Sequence, residues 1–232
     1  MTRQIVLDTE TTGLSPQEGH RIVEIAAVEL LNHVPTSRNF HVYLDPQRDM
    51  PKEAEAVHGL TTAFLKGKPV FKDVAAEFLA FLEDAPLIIH NASFDMGFLN
   101  HELVKIGATP LEMSRVTDTL QLARQKHPMA PNSLDALCKR YGIDLSRRSK
   151  HGALLDSELL AEVYLELIGG RQTALGLTQI TAMASPRTAG WSGSSVQQQR
   201  GEALPPRLTE EEGRAHQRLV EALGEKALWL KN

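Results

Sequence analysis

The chain of 232 residues contains one cysteine, Cys138, which excludes an intrachain disulfide and a cysteine-built metal centre. Cys138 falls in the helical-looking segment Leu134–Cys138 and reads as a buried, inert thiol. Long apolar runs are also missing: no stretch approaches the length needed to span a membrane. A signal-peptide pattern is missing too, because only three apolar residues, Ile5-Val6-Leu7, separate Gln4 from Asp8. These absences predict a cytoplasmic protein with no membrane partner. There is no excess of positive charge. The net charge of −4 argues against a large non-specific nucleic-acid surface, but not against an enzyme that uses a small basic rim and metal ions. One run fits such a rim: Lys139, Arg140, Arg147, Arg148 and Lys150 lead into His151, with Asp144 the one acid among them. Taken without His151, it would read as a solvated helix end and loop. No internal repeat is visible.

The composition that remains, 42% apolar and 23% charged, is that of a globular protein with one full-sized domain and an appendage. Residues 1–177 read as an α/β domain. Strands are expected over Arg3–Asp8, Arg21–Leu31, Asn39–Leu44, Leu87–Ile89 and Arg115–Asp118. Helices are expected over Val70–Leu82, Phe94–Ile106, Thr119–Lys126, Ser133–Tyr141 and Ala153–Ile168. Three strands in a meander, followed by strands alternating with helices, describe a mixed sheet flanked by helices. Residues 178–206, rich in Gly, Ser, Gln and Pro, read as a flexible linker. Residues 207–232 regain order. Thr209 and Glu212 form a capping box, Ala215, Leu219, Ala222 and Leu223 form an apolar stripe, and Gly224 fits a stop. One helix cannot bury its own apolar face, so it is expected to dock on another protein.

The chemistry is carried by acids at element ends. Asp8-Thr9-Glu10 sits where the first apolar strand leaves the core, and alternation puts Asp8 and Glu10 on one side. Two carboxylates aimed at one point repel each other unless a cation lies between them, and a hard divalent ion is the usual answer. For this pair alone, a solvated strand end is an equal alternative. Asp95 follows the strand Leu87–Ile89, near a helix start, and Asp156 opens the last helix. Each by itself is the acid that a helix dipole favours. His151 by itself is a loop histidine. Together, four carboxylates and a histidine without a Cys- or His-rich shell suit two Mg²⁺ or Mn²⁺ ions rather than zinc. Two such ions clamp both oxygens of an in-line phosphoryl displacement, and a histidine can take the proton of the attacking water. That is the chemistry of a two-metal phosphodiesterase.

Three motifs in series carry a resemblance: Val6–Leu14 (with Asp8-Thr9-Glu10-Thr11-Thr12-Gly13), His90–Asp95, and His151-x4-Asp156. They resemble the DEDDh exonuclease superfamily. Asn39–Leu44, Val57–Leu60, Asn132–Cys138 and His151–Asp156 are similar to the proofreading (epsilon) subunits of bacterial DNA polymerase III. The resemblance runs from Arg3 to about Leu177 and returns weakly in the last twenty-odd residues. It implies a ribonuclease H-like fold and a 3′–5′ DNA exonuclease that releases nucleoside 5′-monophosphates. Asp8 would bridge two metals, Glu10 and Asp156 would complete the tighter site, and Asp95 would hold the second metal. His151 would be the general base. Thr11, Leu14, His58, Asn91 and Phe94, beside Asp8, Glu10 and Asp156, would hold the terminal nucleotide of a DNA 3′ end. Gln172–Leu177 resembles a sliding-clamp-binding peptide, and its terminal Leu177 in place of an aromatic implies weak binding. Residues 207–232, with Leu228-Trp229-Leu230, resemble the segment that tethers such subunits to the polymerase (alpha) subunit. Two other readings stay open: a stand-alone DEDDh exonuclease acting on RNA or oligonucleotides, and a non-catalytic replisome scaffold. The tail after Thr178 argues against the first, and the complete set of five residues against the second.

Overall fold

The structure, a computed structural model, describes residues 2–146, 148, 150–169 and 210–223. The segment Gln172–Leu177, the linker, Thr209, Gly224 and Leu228-Trp229-Leu230 lie outside the described residues. The chain divides into two compact units, Met1–Leu177 and Thr178–Asn232.

The first unit is built on β1 (Arg3–Thr11), which lies at the centre of a five-stranded sheet of order β3-β2-β1-β4-β5. β2 (Ile22–Leu31) pairs antiparallel with β1, and β3 (Val34–Tyr43) antiparallel with β2. β4 (Leu87–Ile89) runs parallel to β1, and β5 (Val116–Asp118) parallel to β4. A central strand is covered on both faces, which is why Ile5, Val6 and Leu7 form an unbroken apolar run. Ile5 and Leu7 pack with Phe78 of α3 (Phe71–Leu82) and with Phe98 and Leu99 of α4 (Ala92–Lys105). Val6 faces the other way, onto Leu160, Ala161 and Tyr164 of α7 (Ala153–Leu167). Each such side chain contributes about 1.5–3 kcal/mol by leaving water. α5 (Thr119–Lys126) and α6 (Leu134–Tyr141) buttress α7 through Ala123, Leu137 and the buried Cys138, whose thiol burial pushes up to about 11.

Two expectations are corrected. β1 does not end at Asp8 but continues to Thr11, with Asp8 opposite Ala26, Thr9 opposite Ile25 and Glu10 opposite Glu24. The backbone ladder is indifferent to side-chain polarity, so the carboxylates stand inside the sheet rather than at its exit. β3 begins at Val34 rather than Asn39. Asn32 and His33, at φ 51° and 67°, form a two-residue turn that brings Val34 opposite Leu31. Two helices were not expected, α1 (Lys52–His58) and α2 (Thr62–Leu65). Both are too short to show a helical period.

In the second unit, the described residues form α8 (Glu210–Leu223). Glu210, Glu211 and Glu212 in its first turn suit the helix dipole. Ala215, Leu219 and Ala222 of the expected stripe are exposed.

Candidate active site

Alternation along β1 decides which acids meet. Asp8 and Glu10 share the face of Val6 and therefore point to the side covered by α7, whose first turn carries Asp156. Thr9 faces the α4 side, where Asp95 stands in the first turn. Its backbone N–H and its hydroxyl both donate to Asp95 Oδ1, at 3.0 and 2.7 Å. α4 is itself held to the β1–β2 connection by a two-pronged ion pair between Arg21 and the buried Glu102.

The acids are crowded: Asp95 and Asp156 are buried and Asp8 and Glu10 half-buried. Burial first, then the charges of Asp95, Glu10 and Asp156, hold the Asp8 carboxyl well above the usual range. Burial and then Asp156 and Glu24 raise Glu10 to about 8. Burial raises Asp95 to about 7, against the opposing effect of the Thr9 hydrogen bonds. Glu24, directly across the ladder from Glu10, is buried and ion-paired with His41 at 2.7 Å, so it adds field without a free ligand oxygen toward His41.

Ligand atoms of Glu10, His151 and Asp156 lie within 4.8 Å of one another. One cation already stands among them. Arg148 donates from Nε and Nη2 to the two Asp156 oxygens, both at 2.6 Å, and from Nη2 to His151 Nδ1 at 2.8 Å. Its Nη1 donates to Asp135 of α6. A carboxylate cluster that draws in a guanidinium has the charge and the oxygen donors of a hard divalent cation site, so the residues fit a divalent cation.

Two clefts flank the cluster. The larger, of 820 Å³, is lined by Asp8, Asp156, His151, Arg148, Asn91, Arg124, His127 and Asn132, among others. The smaller, of 460 Å³, holds Glu10, Thr11, Leu14, His58 and Phe94. Thus four of the five pocket residues expected from sequence come together, with Leu14 85% exposed at the rim, while Asn91 lines the larger cleft. His58 Nδ1 accepts from Leu60 N–H at 3.0 Å, which leaves the proton on Nε2. That buried nitrogen makes no well-formed hydrogen bond, although the Thr11 backbone is near enough to favour its charge, and burial lowers its basicity. A Cβ at Gly13 would collide with the His20 ring, which explains glycine on this wall. The His151 N–H donates to the Val57 carbonyl at 3.3 Å, tying the two clefts together beside His58.

Among the residues that escaped sequence reading are Glu24, Arg148 as a partner of Asp156, and Glu53, which lines the smaller cleft. Only Arg148 carried a signal, the basic run that ends at His151.

The profile described as Exonuclease (RNase_T) matches residues 5–164, and so spans every element of this site. The chain belongs to the exonuclease family. A DNA polymerase III subunit epsilon of Rickettsia prowazekii is 57% identical over 174 residues, covering 74% of this chain and 76% of the relative. That of Salmonella typhimurium is 46% identical over 251 aligned positions, covering 99% of this chain and 98% of the relative. These similarities place the chain among the epsilon subunits within the family. The nuclease domain of 3′hExo, a DEDDh family member bound to rAMP, shares the fold: TM-score 0.63 at 18% identity, over 72% of this chain and 91% of that one. The chain is a metal-dependent exonuclease with the expected ribonuclease H-like sheet. Among the described residues no helix is long and apolar enough to cross a membrane.

Proposed function

We propose that this chain removes nucleotides from the 3′ end of a DNA primer as the proofreading subunit of a cytoplasmic replicative polymerase. The observation that carries this reading is the convergence of Asp8, Glu10, Asp95 and Asp156 from three elements, with His151 at its edge. Two divalent cations, Mg²⁺ or Mn²⁺, held by these acids would clamp the attacking and leaving oxygens of an in-line displacement. Asp8 is suited to be the shared ligand because its field takes in Asp95, Glu10 and Asp156. Glu10 and Asp156 would complete one site and Asp95, aimed by Thr9, would serve the other.

His151, 49% exposed beside Asp156, accepts the proton of the attacking water. The terminal nucleotide sits in the 460 Å³ cleft against Thr11, Leu14, His58 and Phe94, with Glu53 opposite. Asn91 lines the larger cleft, where it would meet the strand. Selectivity needs few base contacts, because a mispaired end unpairs at lower cost and enters as a single strand. The net charge of −4 agrees with a narrow basic rim.

On this reading residues 1–177 are the exonuclease domain, 178–206 the linker and 207–232 the polymerase-docking segment. The exposed apolar positions of α8, Leu219 among them, are available for that contact. Such a tether raises the effective concentration of the nuclease at the primer end. Gln172–Leu177 adds a weak contact to the sliding clamp.

The test is Mg²⁺-dependent digestion of a labelled primer–template, paired or mispaired at the 3′ end, with Asp8→Ala as control. Faster release of 5′-monophosphates from the mispaired end, abolished by Asp8→Ala, is expected. Equal rates on both ends, or activity surviving the substitution, would overturn the reading.

A further inference from the structure

The Arg148 side chain is only 7% exposed, and it engages two catalytic groups at once. It donates to both oxygens of Asp156, which leaves that carboxylate without its best directions for a metal. It also donates to His151 Nδ1, and an arginine can only donate, so the Nδ1 lone pair is occupied. The neutral ring then carries its proton on Nε2. Asp156 and His151 are therefore both engaged by one guanidinium.

We propose that Arg148 is a latch that competes with the divalent cation for Asp156, so that metal entry evicts it and frees His151 in the same step. This rests on the two-metal reading of the site. Asp156 cannot offer the same oxygens at full strength to a guanidinium fork and to a cation of higher charge density. The ion brings two charges against one and recruits Glu10 as well, so it wins when present. Eviction has a ready destination. Arg148 keeps its ion pair with Asp135 of α6, 48% exposed. It also lines a 280 Å³ cleft with Asp135, Leu145 and His151, among others. A nuclease wired this way has its base masked until the metal arrives, and Arg148 is a positioning residue that acts through Asp156 and His151.

The experiment is calorimetric titration of Mn²⁺ into the full-length, metal-free protein without DNA, comparing wild type, Arg148→Met and Arg148→Lys. The latch predicts that Arg148→Met lowers the apparent Kd about tenfold, the scale of losing one charge-assisted competitor. Arg148→Lys retains the charge but not the fork, and it too should bind Mn²⁺ more tightly than wild type. Thermal melts without metal should show lower Tm for both variants, with the gap to wild type closing at saturating Mn²⁺. Weaker Mn²⁺ binding in Arg148→Met would make the arginine a structural support and overturn the proposal. So would Arg148→Lys matching wild type, which would reduce the effect to a charge in the field. Absence of Mn²⁺ binding to the wild type would overturn the metal reading itself, and the latch with it.

Discussion

Thr9 gives both its backbone N–H and its hydroxyl to one oxygen of Asp95, at 3.0 and 2.7 Å. One central strand residue, facing away from Asp8 and Glu10, thus aims the acid on the far helix. Thr9→Val keeps the strand shape and removes the hydroxyl bond. Loss of such a supporting contact should lower kcat about 10–100-fold, with KM for DNA little changed. Thr9→Ser should restore most of the rate. Steady-state kinetics on a mispaired primer checks both, and an unaltered kcat in Thr9→Val would remove Thr9 from the site.

The raised carboxyls set a pH dependence for the metal-free protein. Glu10 rises from 4.5 to about 8 and Asp95 from 3.8 to about 7, so the folded state binds more protons than the unfolded chain in between. Stability from these groups is present in full below the unfolded values and is lost as pH climbs through the folded ones. The Tm should therefore fall between pH 5 and 8 without metal. Mg²⁺ or Mn²⁺ should restore it, by more at higher pH, because the ion replaces the protons. Melts across this range with chelator and with metal decide the matter. A Tm that climbs with pH in chelator would contradict it.

His151→Ala should lower kcat about 10²–10⁴-fold, while Mn²⁺ still binds through the four carboxylates. Single-turnover digestion alongside calorimetry separates the two effects. A variant with wild-type turnover would end the assignment of His151 as base.

His58 lines the smaller cleft, and its buried Nε2–H lacks a well-formed partner. If the terminal nucleotide occupies this cleft as proposed, His58→Ala should raise KM for the primer end more than it lowers kcat, since the group would meet the nucleotide rather than the reacting bond. An effect confined to kcat would point to chemistry instead of binding.

Truncation after Leu177 should leave exonuclease turnover intact and abolish co-elution with the polymerase subunit. Retained co-elution of the truncated protein would refute the tether.

The five candidate residues were legible because each sits beside a local signal: an apolar run ending in acids, a helix start, a histidine five residues before the helical Asp156. What the acids meet was not legible, because it depends on pairing across the chain. Glu24 reaches Glu10 only through the β1–β2 register, and Arg148 meets Asp156 only through a side-chain fork. The extension of β1 to Thr11 was hidden because polar side chains mask a ladder made by the backbone. The resemblance implies a nucleotide-pocket role for Asn91; at φ 63° it caps the start of α4 and lines the larger cleft, which also holds Asp8 and Asp156.

The continuation of β1 through Thr11 has a mechanical consequence. Asp8 and Glu10 are one pleat apart on a strand hydrogen-bonded to β2 through both positions, so their separation is set by the sheet and not by a loop. They form an anvil. Opposite it stand the buried Asp156, in the first turn of α7, and the half-exposed His151 just before that helix. Substitutions that stiffen or loosen that side should change the rate of the cycle, whereas changes in the β1–β2 ladder should simply destroy the site.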